Sequence, residues 1–385
     1  MRRFFARSFY AAEMFLRGRG FALDFFLMKI VIALLGAFLP LAFLGGCSSQ
    51  DGEASYSIGA ILPLRGECSE ASREIVRGME IARDEINARG GVAGVPIRLD
   101  VRDARADKGS VLETFDLMRR GGVKVFNMGF GKEVIFTKNI ISKCDDVFVN
   151  YLCSYPPITL DMPNSTRVFI NGAQVGDIMA AAVKRDGAAD VNIVAMNIDN
   201  FFGKADADYL AFNLKVSKTK YYRDVFGEGE TRFGIFAEQI GRLYADYVFY
   251  VGHGAELGAF LDSLAKAGYS KTVVANCLLE SVPLAVPKGL EFYKVETFYE
   301  QGKIDTPASR SFRAAYAAKF GAQPSWRAAC GYDSVMLLAK AAQKARFIPS
   351  KMRSHFENLK HDGALGKIEF DKTADSTLEM SLVKK

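Results

Sequence analysis

The chain has 385 residues, 49% of them hydrophobic and 24% charged, with a formal charge of +6. That length supports one large core or two smaller ones, and two is the better expectation. Much of the charge is local, because residues 1–46 hold six basic residues (Arg2, Arg3, Arg7, Arg17, Arg19, Lys29) against Glu13 and Asp24. The remainder is close to neutral, which excludes a charge-driven polyanion or nucleic-acid partner.

The first segment with a clear reading is Ile30 to Leu44, apolar except for Gly36 and Pro40 and preceded by Lys29. At about 15 residues it is shorter than the roughly 20 that cross a bilayer as a helix. A basic start, a short apolar centre and a small-residue exit describe a signal peptide over residues 1–46. Its last residues, Leu44-Gly45-Gly46-Cys47, resemble the lipobox of bacterial lipoproteins, which implies that Cys47 is lipidated, becomes the new N-terminus and ties the chain to a membrane. Met28-Lys29 resembles an ordinary lipoprotein start, so residues 1–27 read either as lying upstream of the true start or as an extended leader. Residues 47–54 are small and polar, as a tether should be. Ser48 after the cysteine leans towards the outer membrane of a Gram-negative cell, and a Gram-positive surface anchor stays open.

Past the tether, Tyr56 to Leu62 reads as a strand ended by Pro63. Ile75, Met79, Ala82 and Ile86 fall on one face of a helix that Gly90-Gly91 stops. Ile97 to Val101 is a strand, Val111, Leu112, Phe115 and Met118 form a helical face, and Val123 to Met128 is a strand. Lys132 to Lys143 and Val147 to Leu152 repeat the pattern. A second series follows Pro163: helix Asp177 to Lys184, strand Val191 to Met196, helix Ala205 to Leu214, strand Tyr221 to Phe226, helix Phe233 to Tyr244, strand Tyr247 to Val251, helix Leu257 to Ala267 and strand Thr272 to Ala275. Alternation of this kind means parallel sheets covered by helices on both faces, so the fold class is α/β with two doubly wound lobes.

Ligands of such sheets bind beyond the carboxyl ends of the strands. The loops that two facing lobes would present are therefore 63–69, 129–133, 153–157, 197–203, 252–255 and 276–280. With Cys47 lipidated, Cys68, Cys144, Cys153, Cys277 and Cys330 remain, an odd number without CxxC or zinc spacing, so at least one thiol stays free. Cys68, Cys153 and Cys277 follow strands, either as ligand contacts or as small buried side chains. His253, His355 and His361 are scattered and form no metal-ligand set, and neither a metal nor another cofactor is expected.

The stretch IGAILPLRGECSEASREIVRGMEIARDEINARGGVAGVPIRLDVRD (58–103) resembles the opening of type I periplasmic binding proteins of the leucine/isoleucine/valine class, the solute receptors of ABC importers. The likeness continues in DYVFYVGHGAELGAFLDSLAKAG (246–268), FRAAYAAKFGAQPSWRAACGYDSVMLLAKA (312–341) and GALGKIEFD (363–371). It implies three crossings between the lobes, near Phe169, Phe298 and Phe347. The first lobe would hold 55–170 and 299–347, the second 171–298 and 348–385, with a small solute in the cleft and an ABC permease as partner.

The implied ligand positions carry over unevenly. The Ala-Thr-x-Pro loop that binds an amino acid's carboxylate in the family is Cys153-Ser154-Tyr155-Pro156 here, and Ser154 keeps the hydroxyl. The earlier Gly-Pro-x-Ser-Ser loop aligns with Asn127 to Gly131, where Phe130 and Gly131 replace both serines. Phe202 before Gly203 takes the place of a tyrosine, and Asn276-Cys277 offers no acid for an α-amino group. Arg65 and Lys132 lie in cleft-facing loops, either as a cationic pocket or as solvated charges, and Phe130, Tyr155, Phe201 and Phe202 suggest an aromatic wall. With His253 and Asn276 from the second lobe, these residues favour a carboxylate-bearing solute over a strictly leucine-like zwitterion.

No Gly-x-Ser-x-Gly, phosphate loop or paired carboxylates appear, which argues against an enzyme. The alternative reading is a periplasmic sensor, or a protein-binding lipoprotein of the same fold that activates a cell-envelope enzyme.

Overall fold

A computed structural model describes residues 55–66, 68–104, 108–129, 131–185, 187, 190–214, 219–277 and 284–385. The leader, Cys47, the tether and Phe130 lie outside the described residues, as do the side chains of Lys132 and Phe201.

The first series runs β1 (Tyr56–Leu62), α1 (Ser69–Ala88), β2 (Ile97–Asp103), α2 (Lys108–Arg120), β3 (Val125–Gly129), α3 (Gly131–Ile141), β4 (Phe148–Leu152) and β5 (Ser165–Arg167). The second runs α4 (Gly172–Arg185), β6 (Asn192–Ile198), α5 (Phe201–Asn213), β7 (Lys220–Phe226), α6 (Gly234–Arg242), β8 (Tyr247–Val251), α7 (Gly254–Lys266), β9 (Thr272–Ala275) and β10 (Glu291–Thr297). Then come α8 (Pro307–Phe320), α9 (Trp326–Lys344), β11 (Lys360–Gly363), β12 (Gly366–Phe370), β13 (Ser376–Leu378) and β14 (Met380–Lys384).

The strands of the first sheet lie in the order β2-β1-β3-β4-β5, all parallel. The second sheet is β14-β10-β9-β8-β6-β7, parallel except for β14. Taken from β6, its parallel part repeats the order of the first: the opening strand is central, the next lies outside it and the others extend the opposite edge. Each sheet therefore has one point where the winding reverses, between β1 and β3 and between β6 and β8, and a crevice opens there at the strands' carboxyl ends.

Burial explains why these strands read as continuous apolar runs. Every residue of β3, β4, β8 and β9 is buried, as expected where helices cover both faces. On α1 the expected face is fully inside, with Ile75, Met79 and Ala82 at 0% exposure and Ile86 at 9%, and each large side chain contributes roughly 1.5–3 kcal/mol. Gly90 and Gly91 end that helix with φ of 91° and 78°. A Cβ on Gly91 would lie 2.2 Å from the Val95 carbonyl, so only glycine fits that turn.

Two helices start earlier than their apolar period indicates. Asn200 caps α5 by accepting from the Gly203 N–H at 2.8 Å, so that helix begins at Phe201. The Asn171 side chain accepts from the Ala173 N–H at 2.9 Å, and α4 begins at Gly172. In both places polar capping extends the helix beyond its buried stripe.

α9 returns to the first sheet and packs along α1 through two glycines. A Cβ on Gly331 would lie 2.0 Å from the Ile75 carbonyl, and one on Gly78 would lie 1.8 Å from the Ala328 carbonyl. Of residues 348–385, assigned by resemblance to the second lobe, β14 pairs there with β10. The strands β11-β12-β13 instead form a separate antiparallel sheet, tied to α9 where Asp333 accepts from the N–H groups of Ala364 (2.9 Å) and Leu365 (2.8 Å).

Candidate functional site

The loop after β4 is built around a buried cation. Arg167, at the end of β5 and 0% exposed, donates from Nη1 to the carbonyls of Cys153, Ser154 and Tyr155, each at 3.0 Å, and from Nη2 to that of Pro156 at 2.7 Å. Its charge is balanced by Asp375, which precedes β13. In a trans peptide the C=O and the following N–H point in opposite directions. Turning the Cys153 and Ser154 carbonyls towards Arg167 therefore turns the N–H groups of Ser154 and Tyr155 away from it. Ser154 is 8% exposed and Cys153 5%. The result is a fixed turn that presents donors on one side and spends its acceptors on the other.

A second cluster comes from the second sheet, at its winding reversal. Phe202 follows β6 and His253 follows β8, and their rings stack at 5.7 Å between centroids with 21° between planes. The backbone under His253 is held by Tyr250, whose hydroxyl donates to the His253 carbonyl at 2.7 Å. Asn276 is committed to the same support: its Nδ2 donates to the Gly252 carbonyl at 3.2 Å and its Oδ1 accepts the Gly252 N–H at 3.3 Å. At 1% exposure, Asn276 joins the loops after β8 and β9.

Ser154 and Tyr155 thus lie on the first-sheet side, and Phe202, His253 and Asn276 on the second. The two sides meet where the chain passes from β5 to α4, as the Gly172 N–H donates to the Ser154 carbonyl at 2.8 Å. α3 and α5, one helix from each series, are also in contact. Arg65 projects into solvent with its side chain 83% exposed, and its Nε lies 3.3 Å from Asp103 Oδ2. Gly131 and Lys132 are the first residues of α3.

Cys144, Cys277 and Cys330 are free thiols, and burial pushes the thiols of Cys277 and Cys330 well above the usual range. Among the described residues no group of acids, cysteines and histidines is arranged to hold a metal ion, and no helix is long and apolar enough to cross a membrane.

Sequence reasoning missed three residues that organise this region: Arg167, Asp375 and Asp206. Arg167 carried one signal, a cation at the end of a short run leading into Val168-Phe169-Ile170. Its partner is distant in sequence and gave none. Asp206 is 5% exposed on α5, with Oδ1 lacking a hydrogen-bond partner. Burial pushes its carboxyl up to about 8, against the pull of Arg167.

The chain is similar to the Leu/Ile/Val-binding protein homolog 8 of Brucella suis, 23% identical over 321 residues that cover 77% of this chain and 78% of that one. Its fold is that of a leucine-binding protein LivK from Thermotoga maritima, with a TM-score of 0.71 at 18% identity, covering 86% of this chain and 97% of that one. A solute-binding protein of an ABC transporter from Rhodopseudomonas palustris, solved with 3,4-dihydroxybenzoic acid, matches with a TM-score of 0.71 at 18% identity, covering 86% and 93%. These are two-lobed α/β proteins of the type I kind, and the family model for periplasmic binding proteins matches residues 55–383. The chain therefore belongs to the periplasmic binding protein family.

Proposed function

We propose that this protein is an extracytoplasmic, lipid-anchored receptor that captures a small carboxylate-bearing or amino-acid-like solute between two lobes and delivers it to an ABC importer. The lobes are 55–170 with 299–347 and 171–298 with the β14 end of 348–385, crossing near Phe169, Phe298 and Phe347, and Cys47 holds the receptor to the membrane through its lipid. The protein binds and releases its solute without chemistry. The observation that carries this reading is the Cys153–Pro156 turn, whose carbonyls are drawn to Arg167. The Ser154 and Tyr155 N–H groups and the Ser154 hydroxyl then make a ready donor set for a carboxylate, and the Phe202–His253 stack supplies a flat wall for an apolar or aromatic part. Relatives whose names specify Leu/Ile/Val binding and a neighbour solved with 3,4-dihydroxybenzoic acid suggest both classes as probes.

A thermal-shift screen with branched-chain amino acids and with benzoates tests this reading. A ligand of the folded state raises stability by RT ln(1 + [L]/Kd), so about 100 Kd of the right solute adds about 2.7 kcal/mol. Absence of any shift across both classes, with the protein folded and monodisperse, would refute capture of such a solute.

A further inference from the structure

Asp206 has no task in the reading above, and its surroundings are unusual for an acid. It stands four residues after Phe202 on α5, so it shares a helix face with the ring that stacks on His253. It packs against the point where the chain crosses from β5 to α4. A Cβ on Gly172 would lie 2.2 Å from Asp206 Oδ1 and 2.9 Å from the Ser154 carbonyl oxygen. The carboxyl therefore fills the space that glycine leaves, and the Ser154 carbonyl, from the first series, borders the same space.

The donors around it are already engaged. Arg167 spends its N–H groups on four carbonyls and on Asp375. Asn171 Nδ2 reaches Asp375 at 3.4 Å, and the Gly172 N–H is taken by Ser154. The charged groups facing this pocket are Arg167 from β5 and, behind it, Asp375; Ser154, Asn171 and Gly172 are neutral. A carboxylate beside a carbonyl without a donor is costly to keep from water, whereas a neutral carboxyl can donate.

We propose that Asp206 makes closure of the cleft proton-dependent: neutral, it stays packed between Gly172 and Ser154 with the lobes together, and ionised, it leaves for water as the lobes part. This inference rests on the two-lobe reading. Its sign follows from linkage. Packing raises the carboxyl from its ordinary range to about 8, so closure is favoured in acid and loses about tenfold in equilibrium constant per pH unit up to about 8.

Small-angle scattering of the solute-free protein from about pH 5 to about pH 9 tests it. The wild type is expected to expand as pH rises. Asp206→Asn, which stays neutral, is expected to remain compact throughout. Gly172→Ala places a methyl in the carboxyl's position, so the acid is displaced at every pH and the profile is expected to be flat with pH, which keeps the test decisive if the Asn variant does not fold. A wild-type profile that is flat with pH would overturn the inference, as would a pH response retained in Asp206→Asn or Gly172→Ala. No solute enters this assay, so its failure is separate from failure of the binding reading. A thermal-shift hit with a flat scattering profile removes only the proton dependence. Expansion with pH but no hit in either solute class removes only the solute assignment.

Discussion

Arg167 and Asp375 lie 208 positions apart in sequence and meet as a two-pronged ion pair, Nε to Oδ1 and Nη2 to Oδ2, each at 2.6 Å. The guanidinium is fully buried and Asp375 is 12% exposed at its side chain. This pair joins the small antiparallel sheet to the turn that presents Ser154. Arg167→Met would take a charged donor from four carbonyls and the two-pronged partner from the Asp375 carboxylate. Loss of one partner of a buried pair costs about 3–5 kcal/mol, and urea unfolding should show a fall of that order. Arg167→Lys is expected to recover only part of it, since an ammonium cannot reproduce the planar fork. Wild-type midpoints for both variants would refute this role.

Ser154→Ala removes one hydroxyl donor and leaves the backbone donors of the turn in place. Affinity for a solute found by the screen is expected to fall by about 0.5–1.5 kcal/mol, as read by titration calorimetry. Arg65→Ala should cost less than about 1 kcal/mol, because that side chain is largely in water and already paired with Asp103. A larger loss from Arg65 than from Ser154 would move the carboxylate to the other end of the cleft.

The contact between α1 and α9 depends on Gly78 and Gly331, each closer to the partner helix's backbone than a methyl group permits. Gly331→Ala is expected to push the helices apart and destabilise by about 1–3 kcal/mol, despite alanine's better helix propensity. An unchanged or raised melting temperature would contradict the close approach.

Asp146 accepts from Arg119 and Lys124, and these hydrogen bonds lower its pKa from the ordinary 3.8 to about 2. A depressed carboxyl contributes stability above its unfolded pKa and loses it as pH falls through the folded one. The side chain is 35% exposed, so solvent screening limits the contribution to about 1 kcal/mol or less. The stability difference between wild type and Asp146→Asn should be present at pH 5 and vanish towards pH 2. A difference that grows on acidification would reverse the assignment.

Cys47→Ala tests the anchor outside the described residues. The variant should appear in the soluble extracytoplasmic fraction, since stable anchoring needs more than one acyl chain. Continued recovery in the membrane pellet would dismiss lipidation at this residue.

The sequence by itself determined the alternating architecture. Runs such as Tyr247 to Val251 and Thr272 to Ala275 match strands residue for residue, because a strand covered on both faces must be apolar throughout. The buried face of α1 was equally legible from its period. The likeness to binding proteins also pointed to the loop at Ser154 and to Phe202. What only the tertiary structure decided is how those residues are held. The stack of Phe202 on His253, the double bond of Asn276 to Gly252, the grip of Arg167 on the Ser154 turn and the burial of Asp206 against Gly172 all join segments far apart in the chain. Apolar periodicity records which face of an element is buried, a property of neighbouring residues. A buried charge is placed by its partner, and Arg167 and Asp375 share no local pattern from which either could be inferred.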